Sequence, residues 1–155
     1  MSKDIRIEQI MTEKVIVANL NSKFSQIMDF FNQFNIQHLP VVENDLIIGI
    51  ISSKDALYYL YRKLEKGESI DKEHLDADFD MNKLMTANPT TVKPGAEIDE
   101  ALEILAEKRF QALPVAENNI IKGIITNKDM VKAYYNERNP RSPHFGNNST
   151  PGFGV

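Results

Sequence analysis

The hydrophobic positions of the chain run through one series of patterns twice. Phe24, Ile27, Met28, Phe31 and Phe34 stand three and four apart, the period of a helix with one apolar face. Leu39–Val42 and Leu46–Ile51 are apolar runs separated by the polar Glu43-Asn44-Asp45, which predicts a hairpin of two buried strands. A second helix is expected after Ser52, with Ala56, Leu57, Leu60, Tyr61 and Leu64 on its apolar face. The β-branched stretch Val15–Val17 precedes the series as a short strand. The later half follows the same order: Thr90–Val92, a helix through Ile98, Ala101, Leu102 and Leu105, strands Leu113–Ala116 and Ile120–Ile125 around Glu117–Asn119, then a helix after Thr126 with Met130, Val131 and Tyr134. Each half therefore reads as a β-α-β-β-α unit.

Shifting the sequence by 74 residues lays Ile7–Tyr61 on Met81–Tyr135 without a gap, and 15 of these 55 positions are identical. The identities gather in two blocks, around Leu39-Pro40-Val41 with Leu113-Pro114-Val115 and around Gly49 to Asp55 with Gly123 to Asp129. Chance likeness of two amphipathic stretches would scatter them, so the chain is an internal duplication. Solenoids generally need three or more repeats to bury a continuous core; two copies imply a closed pair. The expected organisation is repeat one over residues 1–64, an acidic linker over 65–80 with one helical turn around Lys72–Leu75, repeat two over 81–136, and a disordered tail over 137–155 rich in Gly, Pro, Ser and Asn.

Composition narrows the function. The 155 residues are 42% hydrophobic and carry 18 basic against 22 acidic side chains, a net charge of -4. No basic excess marks a nucleic-acid backbone binder. With no cysteine, disulfides and thiolate metal sites are excluded, which suits a reducing compartment. The N-terminal stretch lacks the apolar core of a secretory signal, and no apolar run reaches the roughly 18 residues of a membrane span. The expectation is a cytoplasmic protein without membrane attachment.

The sharpest motif is Gly49-Ile50-Ile51-Ser52-Ser53-Lys54-Asp55, echoed by Gly123-Ile124-Ile125-Thr126-Asn127-Lys128-Asp129. A buried strand runs into a helix, with a hydroxyl at the junction and a carboxylate three residues on. Such a pattern is a capping box. The same geometry also suits a nucleotide: helix-start N–H groups attract anions, a hydroxyl can add a donor to a phosphate, and a carboxylate can accept from two vicinal ribose hydroxyls. A glycine in the strand lets a ligand or another backbone approach closely. Both readings stay open on the residues alone. Lys54 and Lys128 are expected on the helix surface.

In its order of Met-Thr, short strand, amphipathic helix, Leu-Pro-Val hairpin and Gly-Ile-Ile-Ser/Thr-x-x-Asp, the chain resembles the CBS domain across both repeats, roughly residues 5–136. The resemblance implies an α/β (α+β) fold, a Bateman module of two tandem CBS repeats whose small three-stranded sheets pack face to face. It implies clefts that take AMP, ADP, ATP or S-adenosylmethionine as a regulatory ligand, with no cofactor required. It places Asp55 and Asp129 on the ribose, Ser52 and Thr126 on phosphate, and the base against Val15 and Val17 or Thr91 and Val92. The residue two before Pro40 is His38 and would reach the phosphates; the one two before Pro114 is Ala112. Neither position supplies an arginine, so AMP or an uncharged adenosine compound is easier to accommodate than ATP. A homodimer, acting in trans on an unknown effector protein, is also implied.

Nothing in the chain reads as catalytic. His38, His74 and His144 have no metal-ligand spacing with one another or with a carboxylate, and no P-loop, GxGxxG or GxSxG motif occurs. Phe24, Phe30, Phe31 and Phe34 are expected in the core. The expected role is a ligand-sensing module; the alternative is a dimerisation or protein-interaction module whose clefts stay empty.

Overall fold

Two hairpins form on local grounds. Strands β1 (His38–Glu43) and β2 (Leu46–Ser52) meet at Asn44-Asp45, and β4 (Ala112–Glu117) and β5 (Ile120–Thr126) meet at Asn118-Asn119. All four turn residues have positive φ, between 49° and 65°. That is the backbone of a two-residue turn whose twist matches its strands, and Asn and Asp tolerate it best among non-glycine residues. The registers correspond: Val41 faces Gly49 and Val115 faces Gly123, with a bulge directly after each valine. The structure, a computed structural model, describes residues 4–108, 110–142 and 144–145.

The remaining elements are a 3-10 helical turn (Ile7–Gln9), α1 (Phe24–Gln33), α2 (Ser53–Glu65), α3 (Lys72–Asp78), α4 (Met81–Leu84), the two-residue strand β3 (Thr86–Ala87), α5 (Ile98–Glu107) and α6 (Asn127–Arg138). They divide into two units that cut across the sequence repeats. One unit is Ile16–Pro89; the other joins the described residues up to Val15 to those from Thr90 onward.

In the Ile16–Pro89 unit, β3 pairs antiparallel with β2, Thr86 opposite Ile50 and Ala87 opposite Gly49. In the other unit Thr12 takes the corresponding place, forming an antiparallel bridge to Ile124. Each hairpin therefore gains its edge from the Met-Thr segment that begins the other sequence repeat. The glycines explain the fit. A Cβ on Gly49 would lie 2.4 Å from the sulfur of Met85, and one on Gly123 would lie 2.6 Å from that of Met11; a side chain at either position would push the methionine aside.

On the far side of each hairpin the expected first strand is reduced to one residue. Ala18 bridges Val41 and Val92 bridges Val115, both in parallel. Ala18 N–H donates to the Pro40 carbonyl and Val42 N–H to that of Ala18, each at 2.9 Å. Val15–Val17 is not a strand, because the pairing begins only at Ala18; β-branched residues without a partner stay extended but form no ladder. The 74-residue shift aligns Ala18 with Val92, so the two bridges are equivalent.

The cores follow the units. Phe24, Ile27, Phe31, Leu39, Val41, Ile51, Leu75 and Met81 pack together in one; Ile7, Met11, Val92, Ile98, Leu113, Val115, Ile125 and Met130 pack in the other. The segment read as a linker joins the first of these cores. Leu75 on α3 is buried and Phe79 packs against the same core, the Tyr59 hydroxyl donates to the Leu75 carbonyl at 3.0 Å, and the Asp76 carboxylate accepts from the backbone and hydroxyl of Ser25 at 2.8 and 2.7 Å.

Three expectations about helix faces need correction. Met28 lies at the exposed edge of α1. On α2 the core side is Ala56, Tyr59 and Leu60, while Leu57, Tyr61 and Leu64 point outward. On α6 Met130 and Ala133 face the core, and Val131 and Tyr134 do not. Each of these helices packs on its sheet through a narrow stripe, so a second apolar stripe is left outside. Helix α6 also continues through Glu137 and Arg138, and Phe145 is hydrogen-bonded back to it. The rest of the expected tail, residues 143 and 146–155, lies outside the described residues.

Candidate functional site at the strand-to-helix junctions

Each junction is closed by the same set of bonds. The Ser52 hydroxyl accepts from Asp55 N–H at 3.2 Å, while Asp55 Oδ2 accepts from Ser52 N–H at 2.8 Å and from the Ser52 hydroxyl at 2.9 Å. Thr126 and Asp129 repeat this with 3.4, 2.8 and 2.9 Å. The first helical N–H is also engaged: Ser53 donates to the Gln37 carbonyl at 2.9 Å and Asn127 to that of Gln111 at 3.1 Å. Of the first three N–H groups of α2 and α6, this leaves those of Lys54 and Lys128 open to an anion. The capping reading is thus fully realised, and the helix starts offer fewer free donors than the bare motif suggests. Both lysine side chains are exposed, as expected.

The carboxylates keep capacity for a ligand. All their bonds within the box fall on Oδ2. The Oδ1 of each lies outside these bonds. A carboxylate with one oxygen anchored is held in a fixed orientation, and its second oxygen can accept from hydroxyl donors.

The two junctions differ in their neighbours. The hairpin register sets His38 directly across from Ser52, and Ala112 across from Thr126. Cross-strand partners share one face, so imidazole, hydroxyl and carboxylate converge in one unit and only hydroxyl and carboxylate in the other. Burial lowers the His38 pKa from its ordinary 6.5, with the charge of Asp55 pulling partly the other way. The imidazole is therefore neutral at pH 7, one donor and one acceptor. Asp129 is the only buried charged residue among those described, 6% exposed. Burial raises its pKa, and the bonds from Thr126 offset only part of the rise. Asp55 is half-exposed, so it is the more accessible of the two carboxylates.

The other expected site residues divide the same way. Pro40 is buried and its carbonyl is engaged by Ala18. Pro114 is buried, with its carbonyl engaged by Val92 N–H at 3.1 Å. Val92 is itself buried, and its carbonyl accepts from Ala116. Val17 belongs with the Asp55 junction; Val15, Thr91 and Val92 belong with the Asp129 unit. Val15, Val17 and Thr91 are half-buried. Met11 and Met85 lie over the motif glycines, a contact that sequence reasoning, which used the Met-Thr pairs only as markers of the repeat, did not foresee. Their signal was present in the repeat alignment, where Met11-Thr12 and Met85-Thr86 are identical pairs with no local structural need.

No three potential ligands among the described residues cluster to hold a metal, and no helix among them is long and apolar enough to cross a membrane.

Two hairpin–helix units, each with an anchored carboxylate at its junction, define a duplicated α/β module. The chain belongs to the CBS domain family, whose sequence profile matches residues 7–62 and 80–136; it is a tandem CBS pair, a Bateman module. It is 28% identical over 134 residues to protein MJ1225 of Methanocaldococcus jannaschii, covering 83% of this chain and 46% of that one. It is 27% identical over 127 residues to inosine-5'-monophosphate dehydrogenase of Nitrosopumilus maritimus, covering 81% of this chain and 23% of the enzyme. The chain thus spans less than half the length of these relatives. Among solved structures, CBSX2 in complex with AMP superposes with a TM-score of 0.71 at 21% identity, covering 86% of this chain and 98% of that one. The CBS pair of protein MJ0100, in complex with 5'-methylthioadenosine and S-adenosyl-L-methionine, gives 0.70 at 20% identity, covering 86% and 98%. At these identities the superpositions establish the shared fold.

Proposed function

We propose that the chain is a regulatory module that binds an adenosine compound and acts on a partner protein in trans, within the cytoplasm. The observation that carries the reading is the convergence of His38, Ser52 and Asp55, set by the β1–β2 register and the capping box. Asp55 Oδ1 accepts from the ribose hydroxyls, and the neutral imidazole and the Lys54 N–H donate to a single phosphate. The Asp129 junction lacks the imidazole and takes an uncharged adenosine compound. Solved relatives of the same fold that hold AMP, or methylthioadenosine and S-adenosylmethionine, support the choice of ligand class. Val17 on one side and Thr91 on the other are proposed to contact the base, because Val92 has its side chain buried and its backbone engaged.

The exposed stripe Leu57, Tyr61 and Leu64 on α2 and its counterpart on α6 support self-association. An isologous homodimer is the commonest way for a homo-oligomer to cover such faces. A thermal-shift series with AMP, ADP, ATP and S-adenosylmethionine tests the ligand reading, since a ligand that binds only the native state raises its melting temperature. A rise with AMP or S-adenosylmethionine is expected. The completeness of the capping boxes favours a second reading, an interaction module with empty clefts; no shift with any of the four ligands selects it.

A further inference from the structure

On α6, Val131, Tyr134, Tyr135 and Arg138 fall at i, i+3, i+4 and i+7, one stripe along the helix. Val131 is 67% and Tyr134 50% exposed. The end of this stripe is not bare. The chain leaves the helix at Asn139, whose backbone and side-chain N–H groups both donate to the Tyr135 carbonyl, at 3.0 and 2.8 Å. Ser142 N–H then donates to the Asn139 carbonyl, turning the chain back. The Asn136 side chain holds both backbone groups of Phe145: its Nδ2 donates to the Phe145 carbonyl at 3.0 Å, and its Oδ1 accepts from Phe145 N–H at 3.1 Å. This pair of bonds places the Phe145 ring edge-on to Tyr135, 5.2 Å between centroids.

The equivalent end of α2 is built differently. The 74-residue shift aligns Tyr61 with Tyr135 and Arg62 with Asn136. Arg62 stacks on Tyr58 and cannot offer paired amide bonds to a backbone. Tyr61 has no ring partner among the described residues. The duplication therefore left two similar outer stripes, and only one carries a device that seats the chain's own segment on it.

We propose that the chain after α6, through Asn139, Ser142 and Phe145, forms an intramolecular clasp that occupies the C-terminal end of the α6 stripe and keeps a second copy of the chain from docking there. This rests on the self-association reading above. With the clasp closed, pairing of two copies runs through the open stripe of α2. With it open, the α6 stripe becomes a further docking surface, so self-association strengthens.

The chain contains no tryptophan, so Phe145→Trp installs a single reporter of the clasp. Its emission is expected at shorter wavelength than that of an unfolded control, moving to longer wavelength when Asn136→Ala is added. Sedimentation of the full chain, of Phe145→Ala and of Asn136→Ala across micromolar concentrations is the functional arm. Losing one aromatic contact from the closed state should let the variants associate at about threefold to tenfold lower concentration. An emission maximum that ignores Asn136→Ala overturns the clasp. Unchanged association in both alanine variants overturns it while leaving a wild-type dimer standing. A monomer at every concentration, in wild type and variants alike, overturns the clasp and the self-association reading together.

Discussion

Replacing Asp55 by Asn separates the two roles that one carboxylate carries. The amide keeps the size of the side chain, and its oxygen can take the position of Oδ2, still accepting from the backbone and hydroxyl of Ser52. Two things are lost. The negative charge at the start of α2 contributes about 0.3–1 kcal/mol through the helix dipole. The two accepted bonds fall from the charge-assisted range, about 1.5–3 kcal/mol, toward the neutral range near 1 kcal/mol. Half-exposure of the group damps both. The expected loss of stability is about 1 kcal/mol, or a fall of roughly 2–4 °C in melting temperature for a chain of this length. Binding should suffer more. The outward atom changes from Oδ1, an acceptor, to an NH2 group, which meets the ribose hydroxyls with donors. Loss of a charge-assisted bond at about 1.5–3 kcal/mol weakens an adenosine ligand by roughly tenfold to a hundredfold. Calorimetry with AMP, run beside urea denaturation of wild type and variant, reads both quantities. A variant that loses well over 3 kcal/mol of stability yet binds AMP as tightly as wild type would show that Asp55 only caps its helix.

The Asp129→Asn variant should behave differently, because burial already disfavours the charge there. Its folded pKa is raised, so the folded state holds a proton more readily than the unfolded one. The Asp129 contribution to stability therefore falls as pH rises from the ordinary carboxylate value through the raised one. Wild type should lose stability relative to Asp129→Asn over that window, and parallel stability curves in denaturation at several pH values would refute the burial argument. For His38, whose pKa burial lowers, a bound phosphate should raise the pKa and draw in a proton. The affinity for AMP relative to adenosine should then increase as pH falls below 6.5, and that increase should shrink in His38→Gln; equal pH profiles in calorimetry would remove His38 from the phosphate. Gly49→Ala and Gly123→Ala should each cost about 1–3 kcal/mol by overpacking. In both, the Cβ would also crowd a backbone oxygen that cannot swing away as a methionine side chain can, Thr86 at 3.1 Å and Thr12 at 2.9 Å; the closer contact puts the somewhat larger cost at Gly123, and urea midpoints in the reverse order would contradict this.

Most of the local architecture was legible from residues close in sequence. The hairpins follow from Asn44-Asp45 and Asn118-Asn119, which tolerate the left-handed backbone the turns require. The capping boxes follow from Ser52 with Asp55 and Thr126 with Asp129, since their bonds span three residues and need no distant partner. The duplication showed itself by direct comparison, and with it the equivalence of the two junctions. What the tertiary structure alone decided involves residues far apart in the chain. Met85 sits on Gly49 and Met11 on Gly123 because each Met-Thr segment pairs with the hairpin of the other sequence repeat, an exchange that periodicity cannot register. Helical spacing put Leu57, Tyr61, Val131 and Tyr134 on apolar faces, yet could not say which of two apolar stripes the sheet would cover. Packing chose the one carrying Ala56 and Ala133, whose small side chains let the helices approach. The two aspartates look alike in sequence; only the surrounding chain makes one half-exposed and buries the other, because burial is a sum over neighbours that sequence spacing does not determine.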